Sequence, residues 1–161
     1  MLTTPPRNSQ VNTGPFNAYA RSPALGMDFQ PYQALWRLAG IDHMHVHGLD
    51  GKFSQDNSEV IRGAHECLTP LADRADHRDV VMPVFSSGQW AGTLPATAEA
   101  VPSGDLLFMC GGGILAHPGG AAAGVKSLHQ AWQAIQAGTA LSAATDAPEL
   151  VQALAFFGKT K

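Results

Sequence analysis

Short apolar runs alternate with longer stretches of helical spacing along most of the chain. The runs IDHMHV (41–46), VVMPVF (80–85) and DLLFMC (105–110) predict strands, and the last two suit a sheet that is buried on both faces. Strands separated by helices are typical of a parallel α/β sheet, either an open doubly wound sheet or part of an eight-stranded barrel. The longer stretches predict helices at about 28–39, 58–69, 96–101, 123–137 and 145–157.

The first and last predicted helices carry end signals. Asp28 is expected to cap the first helix and Gly40 to end it. The last helix is expected to have Thr145 or Asp146 as its cap and Gly158 as its stop. The predicted apolar side of the first helix comprises Phe29, Tyr32, Leu35, Trp36 and Leu38.

The composition is that of one globular domain. The 161 residues are 45% hydrophobic and 14% charged with a net charge of -3, so nothing indicates nucleic acid or an anionic membrane as a partner. Residues 1–18 are expected to be irregular or disordered, and residues 19–161 to form the domain. The absence of a bilayer-spanning run or a signal-peptide pattern favours a cytoplasmic protein. Cys67 and Cys110 are expected to be buried, reduced thiols.

Polar or glycine-rich segments follow the predicted strands, at the edge where active sites of parallel α/β proteins lie. Gly111, Gly112 and Gly113 come after the third strand and precede a helix, and such amides can bind an anion. Ser86 ends the preceding strand and adds a hydroxyl at the same edge. These segments predict an anion site, with a tight turn that merely needs glycine as the alternative.

His43, His45 and His47 occupy alternate positions of the first predicted strand, so all three are expected to face the same way. This pattern fits a zinc site, and it also fits interior histidines that form hydrogen bonds or hold an anion. Lys52 follows in a loop flanked by glycines. It is either an ordinary exposed lysine or a cation on a mobile lid that neutralises charge developing on a substrate.

Three motifs, in order, resemble the C-terminal half of the RuBisCO large-subunit family. They are GIDHMHVHGLDGKF (40–53), MPVFSSGQW (82–90) and MCGGGILAHPGG (109–120). The resemblance covers roughly residues 19–158. It implies the C-terminal portion of a TIM (β/α)8 barrel, incomplete, with about the last three to four βα units.

The resemblance also implies roles for single residues. His45 matches the histidine that binds a substrate phosphate, and Ser86 matches a substrate-binding serine. Gly111 and Gly112 match glycines whose amides hold the other phosphate. Lys52 matches the catalytic lysine of the mobile loop, which stabilises the carboxylate being formed. The implied partner is a phosphorylated small-molecule substrate.

Ser87, Gln89 and Trp90 depart from the carboxylase pattern and resemble the RuBisCO-like branch (form IV). Members of that branch enolise, isomerise or decarboxylate other sugar phosphates or keto acids. The family binds Mg2+ through a carbamylated lysine and two carboxylates on strand two of the barrel, and no residue of this chain is assigned as a metal ligand. The sequence is therefore expected to come from a truncated or split gene and to need an N-terminal fragment or a homo-oligomer.

Three functions follow as hypotheses. The first is the C-terminal part of a RuBisCO-like enzyme, inactive alone, whose family chemistry is magnesium-dependent enolisation, carboxylation or decarboxylation of a sugar phosphate. The second is a non-catalytic phosphate-binding or assembly fragment. The third is an unrelated metal-dependent barrel hydrolase that uses the three histidines.

Overall fold

The computed structural model describes residues 10–11, 26–51, 55–72 and 79–159, and the sheet in these ranges is parallel. Its strands lie side by side in chain order, without the reversal of order that a doubly wound sheet has. Consecutive strands of a barrel have this arrangement, so the predicted barrel segment is confirmed. The strands are β1 (Gln10–Val11), β2 (His43–His45), β3 (Met82–Phe85) and β4 (Leu107–Phe108).

Helices connect the strands and follow the last one. Parallel strands need a crossover connection, and α1, α2 and α3 each lie between two neighbouring strands in the chain. Among the described residues, no helix combines the length and apolarity that crossing a membrane requires. The helices are α1 (Phe29–Leu38), α2 (Asn57–Leu68), α3 (Leu94–Ala100), α4 (Gly111–Leu115), α5 (Gly120–Gln136) and α6 (Pro148–Phe157), with 3-10 turns at Ala91–Thr93 and Leu141–Ala143.

Two apolar clusters form the core. The first lies between the sheet and α1 and α2, and includes Met44 and Val60, both fully buried. The second lies under α5 and α6 and includes Leu150. Phe108 of β4 packs against both clusters, so the last strand joins them. The described cysteines, Cys67 and Cys110, are unpaired and buried as predicted, and burial raises their pKa values to about 12 and about 11.

The buried side of α1 differs from the prediction. The helix buries Phe29, Gln33 and Arg37, and the guanidinium of Arg37 donates hydrogen bonds to the carbonyl oxygens of Glu66 and Thr69 at the end of α2. Helical periodicity predicts that Arg37 is exposed to solvent. An arginine can nevertheless be buried when its N–H groups donate to carbonyl oxygens. Three residues of the predicted apolar side are exposed instead: Leu35, Trp36 and Leu38.

Two other predictions about element ends need correction. Gln10–Val11 pairs as β1 within the segment that was expected to be irregular, and the rest of residues 1–18 lies outside the described residues. Helix α6 is preceded by Ala147, which makes no side-chain capping hydrogen bond, rather than by Thr145 or Asp146. Those two residues form a turn, in which the Thr145 amide donates to Ala143 O at 3.0 Å.

Strand β4 is an edge of the described sheet. It is two residues long rather than six, and the Leu106 amide just before it donates to Gly104 O at 2.8 Å instead of joining the sheet. Leu107 and Met109 are 40% and 47% exposed, so one apolar face of this segment meets solvent. An exposed apolar strand at the edge of a sheet is a template for pairing with another chain.

We expect the 161-residue chain, purified by itself, to self-associate through β4. Met109→Lys should weaken the association, because an ammonium group on the exposed face opposes edge pairing. Sedimentation velocity at micromolar concentration measures the change. Val151→Lys is a matched control, since Val151 is 45% exposed on the outer helix α6. A well-folded monomer of the unmodified chain would contradict the prediction.

Candidate functional site

Two strand ends bring together the histidine and the serine singled out in the sequence. His45 is the last residue of β2, and Ser86 comes directly after β3. The strands pair with His45 opposite Val84, which places both residues at the carboxyl edge of the sheet. His45 Nδ1 and Ser86 Oγ lie 2.9 Å apart, a hydrogen-bond distance. The two side chains therefore form one polar cluster.

Burial controls the charge of the His45 ring. It lowers the pKa of His45 below its ordinary value, so the ring is uncharged at neutral pH. An uncharged imidazole donates one hydrogen bond and accepts one, so His45 can link Ser86 to a further polar group. A bound anion would raise this pKa again, because nearby negative charge favours the imidazolium form.

His47 does not share the strand face of the other histidines. Strand β2 ends at His45, and the φ angle of His47 is 67°, in the left-handed region. The prediction that His43, His45 and His47 face the same way is therefore wrong at His47. Burial, followed by the neighbouring His45 ring, lowers the pKa of His47 to about 4, so this side chain is also neutral near pH 7.

The described residues do not fit a metal site. Within these ranges, no three side chains of histidine, cysteine, aspartate or glutamate lie close enough together to hold an ion. The described residues therefore supply no ligand set for the zinc site that the histidine pattern suggested, and none for magnesium. The described side chains at this edge, His45 and Ser86, are hydrogen-bonding groups.

The glycine segment after β4 is helical rather than a loop. Gly111, Gly112 and Gly113 form the first turn of α4, and the first-turn amides of a helix have no partner within that helix. A Cβ atom placed on Gly111 or Gly112 would meet no atom within 4 Å, so both backbones face open space. Gly113 differs, because its Cβ would lie 2.5 Å from Gln89 O. Its lack of a side chain allows close packing.

Strand register relates the glycines to the serine. Phe85 pairs with Phe108, and the Met109 amide donates to Phe85 O at 2.8 Å. The residues that follow, Ser86 on one strand and Gly111 on the other, therefore leave the sheet at the same edge. The structure thus places all the predicted phosphate-binding residues along one edge, and their binding role stays a prediction.

Lys52, the predicted catalytic residue, lies outside the described residues. The loop before it is described as far as Gly51, whose amide donates to Gly48 O at 3.1 Å. Sequence reasoning missed Gln89, which is 2% exposed and lies between this loop and the end of β3. The available signal was the departure of Gln89 from the carboxylase pattern, to which no role was given.

Comparisons with known proteins agree with this geometry. A family model described as "Ribulose bisphosphate carboxylase large chain, catalytic domain" matches residues 11–157. A 3-oxo-isoapionate-4-phosphate transcarboxylase/hydrolase of Xanthobacter autotrophicus is 49% identical over 85% of this chain and 33% of its own length. A 3-oxo-isoapionate-4-phosphate decarboxylase of Rhizobium etli is 43% identical over 91% of this chain and 35% of its own length.

A solved structure gives the same result. The crystal structure of a rubisco-like protein from Burkholderia fungorum is 61% identical, with a TM-score of 0.82, over 90% of this chain and 36% of that one. The chain spans about a third of the length of the curated relatives it matches. The family match replaces the hypothesis of an unrelated barrel hydrolase. The chain therefore belongs to the RuBisCO large-chain family, among its RuBisCO-like members, and forms a C-terminal portion of that family's barrel.

Proposed function

We propose that this chain forms the substrate-phosphate-binding part of a RuBisCO-like enzyme that acts on a phosphorylated 3-oxo acid. Catalysis would require further residues from the rest of the barrel. The observation that carries the proposal is the pairing of His45 with Ser86, 2.9 Å apart at the carboxyl ends of adjacent strands. A neutral imidazole beside a hydroxyl supplies hydrogen bonds suited to phosphate oxygens.

The glycine segment supports a second phosphate contact. Gly111 and Gly112 have open space where side chains would project, and their first-turn amides have no partner within α4, so these amides are candidates for binding an oxyanion. The resemblance assigns the same two glycines to a substrate phosphate. Two phosphate contacts at separate strand ends would orient a substrate across the edge of the sheet.

The names of two relatives suggest the substrate class. Both contain 3-oxo-isoapionate-4-phosphate, although one protein is named as a decarboxylase and the other as a transcarboxylase/hydrolase. A shared substrate with different reactions fits a shared binding region. We therefore infer that this chain contributes mainly to substrate binding.

Lys52 would contribute charge stabilisation. When a 3-oxo acid loses carbon dioxide, the bond to the carboxyl carbon breaks and its electron pair passes to the 3-oxo oxygen as an enolate. An ammonium group near that region stabilises the developing negative charge, and protonation at carbon completes the reaction. The family is generally magnesium-dependent, and this chain's described residues offer no site for the ion.

A non-catalytic phosphate-binding or assembly role is the second candidate. It is favoured by the lack of a metal-ligand group in the described ranges. Both candidate functions predict phosphate binding. Only the enzymatic function predicts turnover when the rest of the barrel is supplied.

We expect inorganic phosphate to shift the amide NMR signals of Ser86, Gly111 and Gly112. Gly112→Ala should raise the phosphate Kd about tenfold, which corresponds to about 1.4 kcal/mol, because its Cβ enters the space an oxyanion needs. Folding stability should not fall, since that Cβ meets no neighbouring atom.

A serine pair provides the control for this titration. Ser86→Ala should weaken phosphate binding, whereas Ser127→Ala should leave it unchanged. The hydroxyl of Ser127 also makes one hydrogen bond, to Gly124 O at 2.7 Å, but it lies within α5. Absence of any shift at the three site amides in millimolar phosphate would overturn the proposal.

We expect no magnesium-dependent turnover of a phosphorylated 3-oxo acid by the 161-residue chain alone. Adding the preceding part of the barrel from the Burkholderia fungorum protein should restore turnover, as measured by carbon dioxide release. Lys52→Ala should abolish it, and Lys126→Ala, at an exposed lysine of α5, should not. Turnover by the chain alone that is lost in Lys52→Ala would contradict the prediction.

A further inference from the structure

Gln89 joins two of the strand-end loops through a buried side-chain amide. Its Nε2 donates hydrogen bonds to Leu49 O at 3.1 Å and to Ser87 O at 3.0 Å. Its Oε1 accepts a hydrogen bond from the Thr93 hydroxyl at 3.0 Å. Both amide hydrogens and the carbonyl oxygen are therefore used, and the orientation of the group is determined by its partners.

The backbone packs against this residue from two sides. A Cβ placed on Gly48 would lie 1.9 Å from Gln89 Nε2, so the loop after β2 approaches closely only because residue 48 is glycine. From the other side, a Cβ on Gly113 would lie 2.5 Å from Gln89 O and 2.7 Å from the Cα atom of Trp90. The segments following β2, β3 and β4 therefore meet at residue 89.

Backbone strain is concentrated in the same two loops. The non-glycine residues of the described ranges that have positive φ angles are His47 at 67°, Asp50 at 52° and Ser87 at 70°. Conformations of this kind persist where the surrounding structure holds them, and they cluster at functional sites. Gln89 bonds to the carbonyl of Leu49, between two of these residues, and to the carbonyl of Ser87 itself.

We propose that Gln89 is a positioning residue for the anion site. By tying the loop after β2 to the loop after β3, it sets the position of His45 relative to Ser86 and holds the turn that leads towards Lys52. An apolar side chain of similar size would fill the space but leave the carbonyls of Leu49 and Ser87 without their donor. The ligand role of the edge rests on the proposed function, whereas the mechanical role of Gln89 does not.

Gln89→Leu tests the inference, with Gln33→Leu as the matched control. Gln33 is equally buried and donates to Gly63 O and Cys67 Sγ, but it lies in α1. Hydrogen exchange is read at two amides of the loops, those of Gly51 and Ser86, which donate to Gly48 O and His47 O. Gln89→Leu should accelerate exchange at both amides at least tenfold, and Gln33→Leu should leave them unchanged.

A phosphate titration adds the functional readout. The Kd for inorganic phosphate should rise severalfold in Gln89→Leu and stay unchanged in Gln33→Leu. Absence of phosphate binding by the unmodified chain would overturn the proposed function, and hydrogen exchange would still decide the role of Gln89. Unchanged exchange at Gly51 and Ser86 in a folded Gln89→Leu chain would overturn the positioning role.

Gly48→Ala provides a second variant in case Gln89→Leu does not fold. The added methyl group would lie 1.9 Å from Gln89 Nε2 and 2.5 Å from Ser86 O, so both the glutamine amide and the Ser86 carbonyl must shift, and Gln89 is removed from Leu49 O while remaining in the chain. The same acceleration at the Gly51 and Ser86 amides is expected. Exchange equal to that of the unmodified chain would count against the inference.

Discussion

Parallel pairing in chain order is the constraint on which the rest of the structure depends. Because β1 to β4 run in the same direction, the segments that follow them leave the sheet at one edge. His45, Ser86 and the first turn of α4 therefore come together although about 65 residues separate the first from the last in the chain. The helices serve this arrangement by returning the chain to the opposite edge and by covering the sheet.

The strand-end edge combines open and closely packed surfaces. Gly111 and Gly112 have open space where side chains would project, whereas Gly48 and Gly113 allow backbone segments to pack against Gln89. The same residue type thus leaves an open surface in one pair and allows close packing in the other. The described side chains at this edge, His45 and Ser86, are hydrogen-bonding groups, and our proposal assigns them to a phosphorylated substrate.

Sequence patterns predicted the elements and the edge but not the contacts that shape it. Alternating apolar runs located β2 and β3, because short buried strands depend on local hydrophobicity. The burial of Arg37 was missed, since it depends on carbonyl oxygens that α2 supplies from elsewhere in the chain. The turn of the chain at His47 was missed because a left-handed φ at histidine has no strong local signal. Gln89 was noticed as a departure, but its contacts with the Leu49 carbonyl and with Gly113 join segments that are distant in sequence.

The packing of Trp90 connects the strand-end edge to the last described helix. Its ring lies 5.4 Å from that of Phe157 in α6, while its Cα atom lies against Gly113. His117, just after α4, is connected to the same helix, since its Nε2 lies 2.9 Å from Glu149 O. Contacts of this kind can link the docking of α6 to order at the strand ends. Because such linkage is reciprocal, a ligand that rigidifies the glycine turn would also hold the C-terminal helix more firmly in place.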